Sequence, residues 1–157
     1  MTKYSLRMIL IFLGLIIMGC GGGSTASNGK MEAPELGISM YAPSGWSVDR
    51  PNPRMCFKGE NTGIILDEPL EGKSFDEYVQ QLSEANSGKV ISTATISISG
   101  FDAILTVIEY PNAGSKSIKV FIHKGDRLIE ISFVTPAEDF PEYETSLRKS
   151  IQSITIE

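Results

Sequence analysis

The run Lys89-Val-Ile-Ser-Thr-Ala-Thr-Ile-Ser-Ile98-Ser-Gly100-Phe-Asp-Ala-Ile-Leu-Thr-Val-Ile-Glu-Tyr110 decides the fold class. Its apolar residues recur every second position, the period of a strand. Val90, Ser92, Ala94, Ile96 and Ile98 are expected on one face. Gly100 turns the chain. Phe101 to Tyr110 is apolar on both faces, with Phe101, Ala103, Leu105 and Val107 on one and Ile104 and Ile108 on the other. A strand covered on both sides reads this way. Pro111-Asn-Ala-Gly114 is the next turn. Ile118, Val120 and Ile122 then line one strand, and Ile129, Ile131 and Phe133 line the next. Gly125-Asp126 joins those two as a two-residue hairpin loop.

Upstream, Leu36 to Ala42 alternates as a strand, Pro43-Ser-Gly-Trp46 is a turn, and Trp46 to Val48 begins a return strand. Short strands are expected at Met55 to Lys58 and Thr62 to Asp67. Ser74-Phe-Asp-Glu77 is a capping box, in which the serine hydroxyl accepts from the N3 amide and the glutamate reaches back. Phe75, Tyr78, Val79 and Leu82 continue it as a helical stripe that Asn86 and Gly88 end. A second helix has two possible starts, Thr135-Pro-Ala-Glu138 and Asp139-Phe-Pro-Glu142. Proline is tolerated only in a first turn, so Pro141 favours the second. Its stripe is Phe140, Tyr143, Leu147, Ile151 and Ile154. The order is strands, helix, long strands, helix. That is α+β, an antiparallel sheet with helices packed on it.

The chain has 157 residues, and its first 19 read as an export signal. Lys3 and Arg7 make a basic start, and Met8 to Met18 is an apolar stretch of 11 residues. A helix needs about 20 apolar residues to cross a bilayer, so this one is too short. Leu15-Ile-Ile-Met-Gly-Cys20 is similar to the bacterial lipobox, which implies cleavage after Gly19 and acylation, palmitate included, of Cys20. Residues 20–30 form the lipidated cysteine and a small, polar tether, and 31–157 form one domain. A domain of this size buries about two-thirds of its unfolded surface, enough for a core. At about 5–6 Å × √n the tether reaches roughly 17 Å, which keeps the domain near the bilayer. Gly21 rather than aspartate follows the anchor. The expected location is the cell envelope, lipid-anchored; if the cell is Gram-negative, analogy with its sorting rule points to the outer membrane, facing the periplasm.

Without Lys3 and Arg7, 12 basic residues face 19 acidic ones, a net charge of −7. Phosphate contacts dominate nucleic-acid affinity, so a nucleic-acid partner is not expected. Anionic lipid heads repel such a domain, so its membrane link is the acyl anchor.

With these pieces in order the domain resembles the PsbP-like fold family, which includes the extrinsic photosystem II subunit and DcrB-type envelope lipoproteins. The resemblance rests on Ile38-Ser-Met-Tyr41-Ala-Pro43-Ser-Gly45-Trp46, Ser74-Phe-Asp-Glu-Tyr78, Ile98-Ser-Gly100-Phe-Asp-Ala103, Ile118-Lys-Val-Phe-Ile122 with Lys124-Gly-Asp-Arg-Leu-Ile129, and the closing helix from Tyr143 to Ser153. It covers nearly all of 31–157. It implies an α/β/α sandwich and non-enzymatic roles in assembly or binding. The lipobox departs from the photosynthetic subunit and argues against a photosystem role.

No catalytic residue set is found. Gly72-Lys73-Ser74 lacks the earlier glycine of a phosphate loop, Asp67 standing in its place, and Ser74 reads as an N-cap. His123 is the only histidine and shares a strand face with Lys119 and Phe121, a structural position. Zinc needs three or four ligands at suitable spacing, which one histidine and one free cysteine do not supply. The acidic stretch Asp67, Glu68, Glu71, Asp76, Glu77 lacks a calcium-loop pattern and reads as a solvated edge. Cys56 reads as a buried packing thiol. Trp46, Tyr41 and Phe57 read first as core or edge packing, and they are the residues that would line a ligand cleft in the alternative. The expected function is a membrane-anchored, non-catalytic interaction module with an envelope protein partner and no cofactor. The alternative is a lipoprotein that binds a small molecule or metal for a transporter, with a cleft near Trp46 and residues 67–77.

Overall fold

The computed structural model describes residues 29–157. The export signal, Cys20 and the tether up to residue 28 lie outside the described residues. Twelve helices and strands follow in order: β1 (Lys30–Ala33), β2 (Ile38–Tyr41), β3 (Ser47–Val48), β4 (Met55–Lys58), β5 (Asn61–Pro69), α1 (Phe75–Glu84), β6 (Lys89–Ile98), β7 (Phe101–Tyr110), β8 (Ser115–Lys124), β9 (Arg127–Pro136), α2 (Phe140–Gln152) and β10 (Thr155–Ile156). Single 3-10 turns lie at Pro34–Leu36, Ala85–Ser87 and Pro111–Ala113.

Seven strands form one antiparallel sheet in the order β3-β4-β5-β9-β8-β7-β6. Its centre is the run of long strands the period predicts. β8 and β9 meet at the two-residue loop, with Lys124 opposite Arg127 and Gly125 at φ 65°. A left-handed residue suits such a loop, and glycine adopts it without strain.

One face of the sheet carries the main core. Ile118, Val120 and Ile122 of β8 and Ile129, Ile131 and Phe133 of β9 are all buried there. Over them pack α2 and a second sheet of β1, β2 and β10. The Ser150 hydroxyl donates to the Tyr41 carbonyl, and the Tyr41 N–H donates to Ser153 Oγ at 2.9 Å, tying α2 to β2. The opposite face meets α1, whose Phe75, Tyr78, Val79 and Leu82 pack on Leu70, Ile104, Phe121 and Leu128. The result is the α+β layering expected, with a small sheet added to the α2 layer.

Both helices start where the local signals put them. The Ser74–Glu77 capping box is complete, with each side chain bonded to the other residue's N–H. α2 begins at Phe140 with Pro141 in its first turn, but Asp139 caps no N–H with its side chain.

Two local readings are corrected. The Pro43–Trp46 turn forms, with the Trp46 N–H on the Pro43 carbonyl at 3.0 Å, yet it does not close a hairpin. β2 pairs with β1 and β10, while Ser47–Val48 joins β4 in the large sheet. A β-bulge between Val90 and Ser92 also reverses Val90, which pairs with Ile108 while Ser92 pairs with Val107. Opposite residues in a ladder share a face. Val90 therefore lies on the α1 side, and Ser92, Ala94, Ile96 and Ile98 on the α2 side.

Candidate functional site

Trp46 is only 1% exposed. Its ring meets Phe133 and Tyr143 edge-on at centroid distances of 5.9 and 6.0 Å. That removes it from any surface cleft and makes it a core residue. Tyr41 and Phe57 are 56% and 47% exposed, on different sheets. The three aromatics do not converge, so the cleft expected near Trp46 is absent among the described residues.

The acidic stretch is divided between structural tasks. Asp67 binds Arg54 at 3.0 Å and also Arg127, and Arg54 continues to Glu35. Burial works against the Asp67 charge, but hydrogen bonds from the two guanidiniums outweigh it and hold the carboxyl below its usual range. Glu68 accepts from the Tyr78 hydroxyl, and burial together with that carboxylate pushes the phenol up. Glu77 caps α1. His123 stacks on Phe75 at 5.0 Å with the rings 11° apart. Among the described residues, no three His, Cys, Asp or Glu side chains gather as a metal site.

Cys56 is fully buried and unpaired, and desolvation pushes its thiol up to about 12. A thiolate is the reactive form, so this cysteine is inert in the folded chain. Gly63 faces it. A Cβ at Gly63 would lie 2.7 Å from the Cys56 sulfur and 2.6 Å from the Phe133 ring.

Sequence reasoning missed a buried ion pair under α1. Lys119 of β8 donates to Glu130 of β9 at 2.7 Å, and both side chains are largely covered. Burial opposes the lysine charge, yet Glu130 and Tyr110 outweigh it and raise its pKa. Phe121 and Leu66 stand opposite Glu130 on the flanking strands, so its surroundings are apolar. Strand alternation does place Lys119 and Glu130 on this face, but not the fact that α1 covers it.

The open edge of the large sheet is the feature best suited to contact another molecule. The β3 edge is a strand of two residues. The β6 edge runs for ten, and all but Ile96 and Ile98 are exposed. Residues 90–98 contain no charge and no proline. Folded proteins usually blunt an edge strand with one of these, because its unpaired N–H and C=O groups are a template for another strand. Here such devices, Lys89 and the bulge, sit at one end and leave 92–98 regular.

Grooves border β6 on both sides. On the α1 side, Val79, Val90 and Ile104 surround a cavity of about 230 Å³ with Thr106 in its lining. The Thr106 hydroxyl is buried and has no hydrogen-bond partner among the described residues. On the α2 side, Ile96, Leu105, Ile151, Ile154 and Arg148 border a groove of about 380 Å³. Main-chain bonds along such an edge supply affinity, and flanking pockets for alternate side chains supply selectivity.

No protein-family model matches the chain. No curated protein matches it either. Solved structures do. The cyanobacterial PsbP of Synechocystis sp. PCC 6803 aligns over 90% of this chain and 99% of its own, with TM-score 0.59 and 10% identity. A protein of unknown function from Pseudomonas aeruginosa, described as a candidate regulator, aligns over 62% of this chain and 73% of its own, with TM-score 0.55 and 22% identity. A protein from Bacteroides thetaiotaomicron aligns over 83% of this chain and 48% of its own, with TM-score 0.52 and 17% identity. Identities this low speak for the fold and not for the activity. The domain has the PsbP-like fold.

Proposed function

We propose that the protein is a lipid-anchored envelope domain that acts as a non-catalytic interaction module, and that the β6 edge is its contact surface. The observation that carries this reading is the long edge strand between two grooves, free of charge and proline over 90–98 and regular from 92 to 98. The lipobox at Cys20 and the polar tether support the anchor. Against catalysis stand the engagements of the reactive groups: Lys119 is paired with Glu130, Cys56 is sealed, and His123 is stacked on Phe75.

A photo-crosslinking side chain at Thr95, on the open edge, tests the reading in intact cells. The same side chain at Glu60, exposed in the β4–β5 turn, is the control. The reading expects discrete adducts from Thr95 and none from Glu60. Equal labelling at both sites, or none at Thr95, refutes it.

A second reading, a small-molecule lipoprotein serving a transporter, is favoured by one observation: the unpartnered Thr106 hydroxyl at the α1-side cavity. A metabolite that raises the melting temperature of the full chain, but not of Thr106→Val, supports it. No stabilisation by any metabolite counts against it.

A further inference from the structure

We infer that the partner of the β6 edge is a second copy of this chain, whose own β6 pairs antiparallel about a two-fold axis at Thr95. The inference rests on the reading of that edge as the contact surface, and it adds the occupant and the register.

The first argument is charge. In a two-fold antiparallel ladder, each residue faces one from the same short segment. Like charges opposite one another are destabilising. Residues 90–98 carry none, so no position in the ladder is opposed. The overall charge of the chain is −5, yet this strip of surface is neutral.

The second argument is shape. The bulge puts Ser92, Ala94, Ile96 and Ile98 on the α2 side and Thr93, Thr95 and Ser97 on the α1 side. With Thr95 on the axis, Ala94 lies opposite the second copy's Ile96, and Ser92 opposite its Ile98. Each large side chain meets a small one. Thr93 lies opposite Ser97 and Thr95 opposite itself, so the other face is a row of hydroxyls. Thr–Thr and Thr–Ser pairs are favourable cross-strand neighbours. Every opposed pair belongs to the same face, as pairing requires. Moving the axis to Ala94 extends the ladder only as far as Val90 opposite Ile98, and the bulge has put those two on different faces.

The third argument concerns the ends. Val90 and Ile91 are 42% and 46% exposed, the largest apolar exposure on the strand. The Thr95 register leaves them just beyond the second copy's Ile98, beside its Ser99–Gly100 turn. The two sheets become one of fourteen strands, with both β6 edges paired and only the two-residue β3 edges left open. If the chain is acylated, confinement to one membrane raises the effective concentration of both copies.

The register makes a sharp test. Chains with one added cysteine, Ala94→Cys, Thr95→Cys or Ile96→Cys, are made in the full chain and oxidised mildly in the membrane. The unsubstituted chain, with Cys56 buried, is the blank. Opposite Cβ atoms lie about 4.5–5.5 Å apart, within reach of a disulfide after small adjustment. Thr95→Cys is expected to form a covalent dimer. Ala94→Cys alone and Ile96→Cys alone form little, and a mixture of the two forms a heterodimer. No dimer from Thr95→Cys, or equal yields from all three alone, overturns the proposal.

A second variant, Thr95→Lys, sets two ammonium groups face to face. It is expected to weaken self-association in mild detergent by about fivefold or more, while the melting temperature of the diluted, dissociated chain stays unchanged because the site is exposed. Unchanged association overturns the proposal. Adducts from a crosslinker at Thr95 that contain only a different protein overturn the second copy as occupant and leave the edge as a contact surface.

Discussion

Replacing Lys119 by methionine keeps the stem of the side chain and deletes its charge. The Glu130 carboxylate then stays behind in a place that is 12% exposed, between Phe121 and Leu66. Breaking one partner of a buried pair costs about 3–5 kcal/mol, because the remaining charge loses both solvent and counter-ion. For a domain of this size, about 3–5 °C of melting temperature goes with each kcal/mol, so the variant is expected to melt about 10–20 °C lower. Replacing both members, Lys119→Met with Glu130→Leu, removes the desolvation cost along with the attraction. Such double replacements are often neutral or stabilising, so most of the loss is expected to return. The coupling from the double-mutant cycle is then at least about 3 kcal/mol, since the cost of Glu130→Leu alone adds to the loss that the double variant recovers; urea unfolding of all four chains with the slope held common measures it. The pH dependence follows the same pair. The folded-state pKa of Lys119 is raised, so its contribution is complete below its unfolded value near 10 and is lost as pH rises through the folded one. Lys119→Met flattens that alkaline limb. A single-variant cost under about 1 kcal/mol refutes the desolvation argument, as does a double variant no better than the sum of the singles. If Lys119→Met leaves stability intact and abolishes crosslinking from Thr95, the pair serves the partner and not the fold.

Gly63→Ala is expected to destabilise by about 1–3 kcal/mol in urea, since its Cβ would overlap the Phe133 ring and the Cys56 sulfur; an unchanged midpoint contradicts that packing. Asp67→Asn removes a carboxylate whose folded pKa is depressed by Arg54 and Arg127. Its contribution is present above the unfolded value near 4 and lost as pH falls below it, so the variant shows a shallower acid limb than the unsubstituted chain, read by circular dichroism. Cys56 in the folded chain is expected to ignore a thiol reagent at pH 8 and to react once denaturant is added; reaction without denaturant shows that the thiol is reached in the native state.

The parts of the fold held by neighbours in sequence were legible. Period-two alternation marked β6 through β9, the Gly125-Asp126 loop fixed their last hairpin, and the Ser74–Glu77 box began α1 where the capping bonds form. Pro141 chose between the two starts of α2 correctly, although Asp139 makes no side-chain cap. What failed depends on distant pairing. β2 lies between β1 and a C-terminal strand of two residues, and nothing local to Ile38–Tyr41 announces Thr155 and Ile156 as partners. The bulge at Ile91 has neither glycine nor proline to signal it, yet it decides which face Val90 takes. Side-chain type alone does not separate the buried Trp46 from the exposed Tyr41 and Phe57. The open edge was hidden for a related reason. The neutrality of 90–98 is plain in the sequence, but a strand's place at the rim of a sheet is a property of strand order. That order is set by pairings across the whole domain.

Amide hydrogen exchange of the full chain tests the central claim most directly, comparing membrane-assembled protein with protein dispersed in detergent and diluted. The outward-facing amides of 92–98 exchange freely in the dispersed chain and are expected to slow at least tenfold in the assembled one, with the β1–β2–β10 sheet and the β3 edge unchanged. Protection that appears on those elements instead, or no difference along β6, contradicts the account.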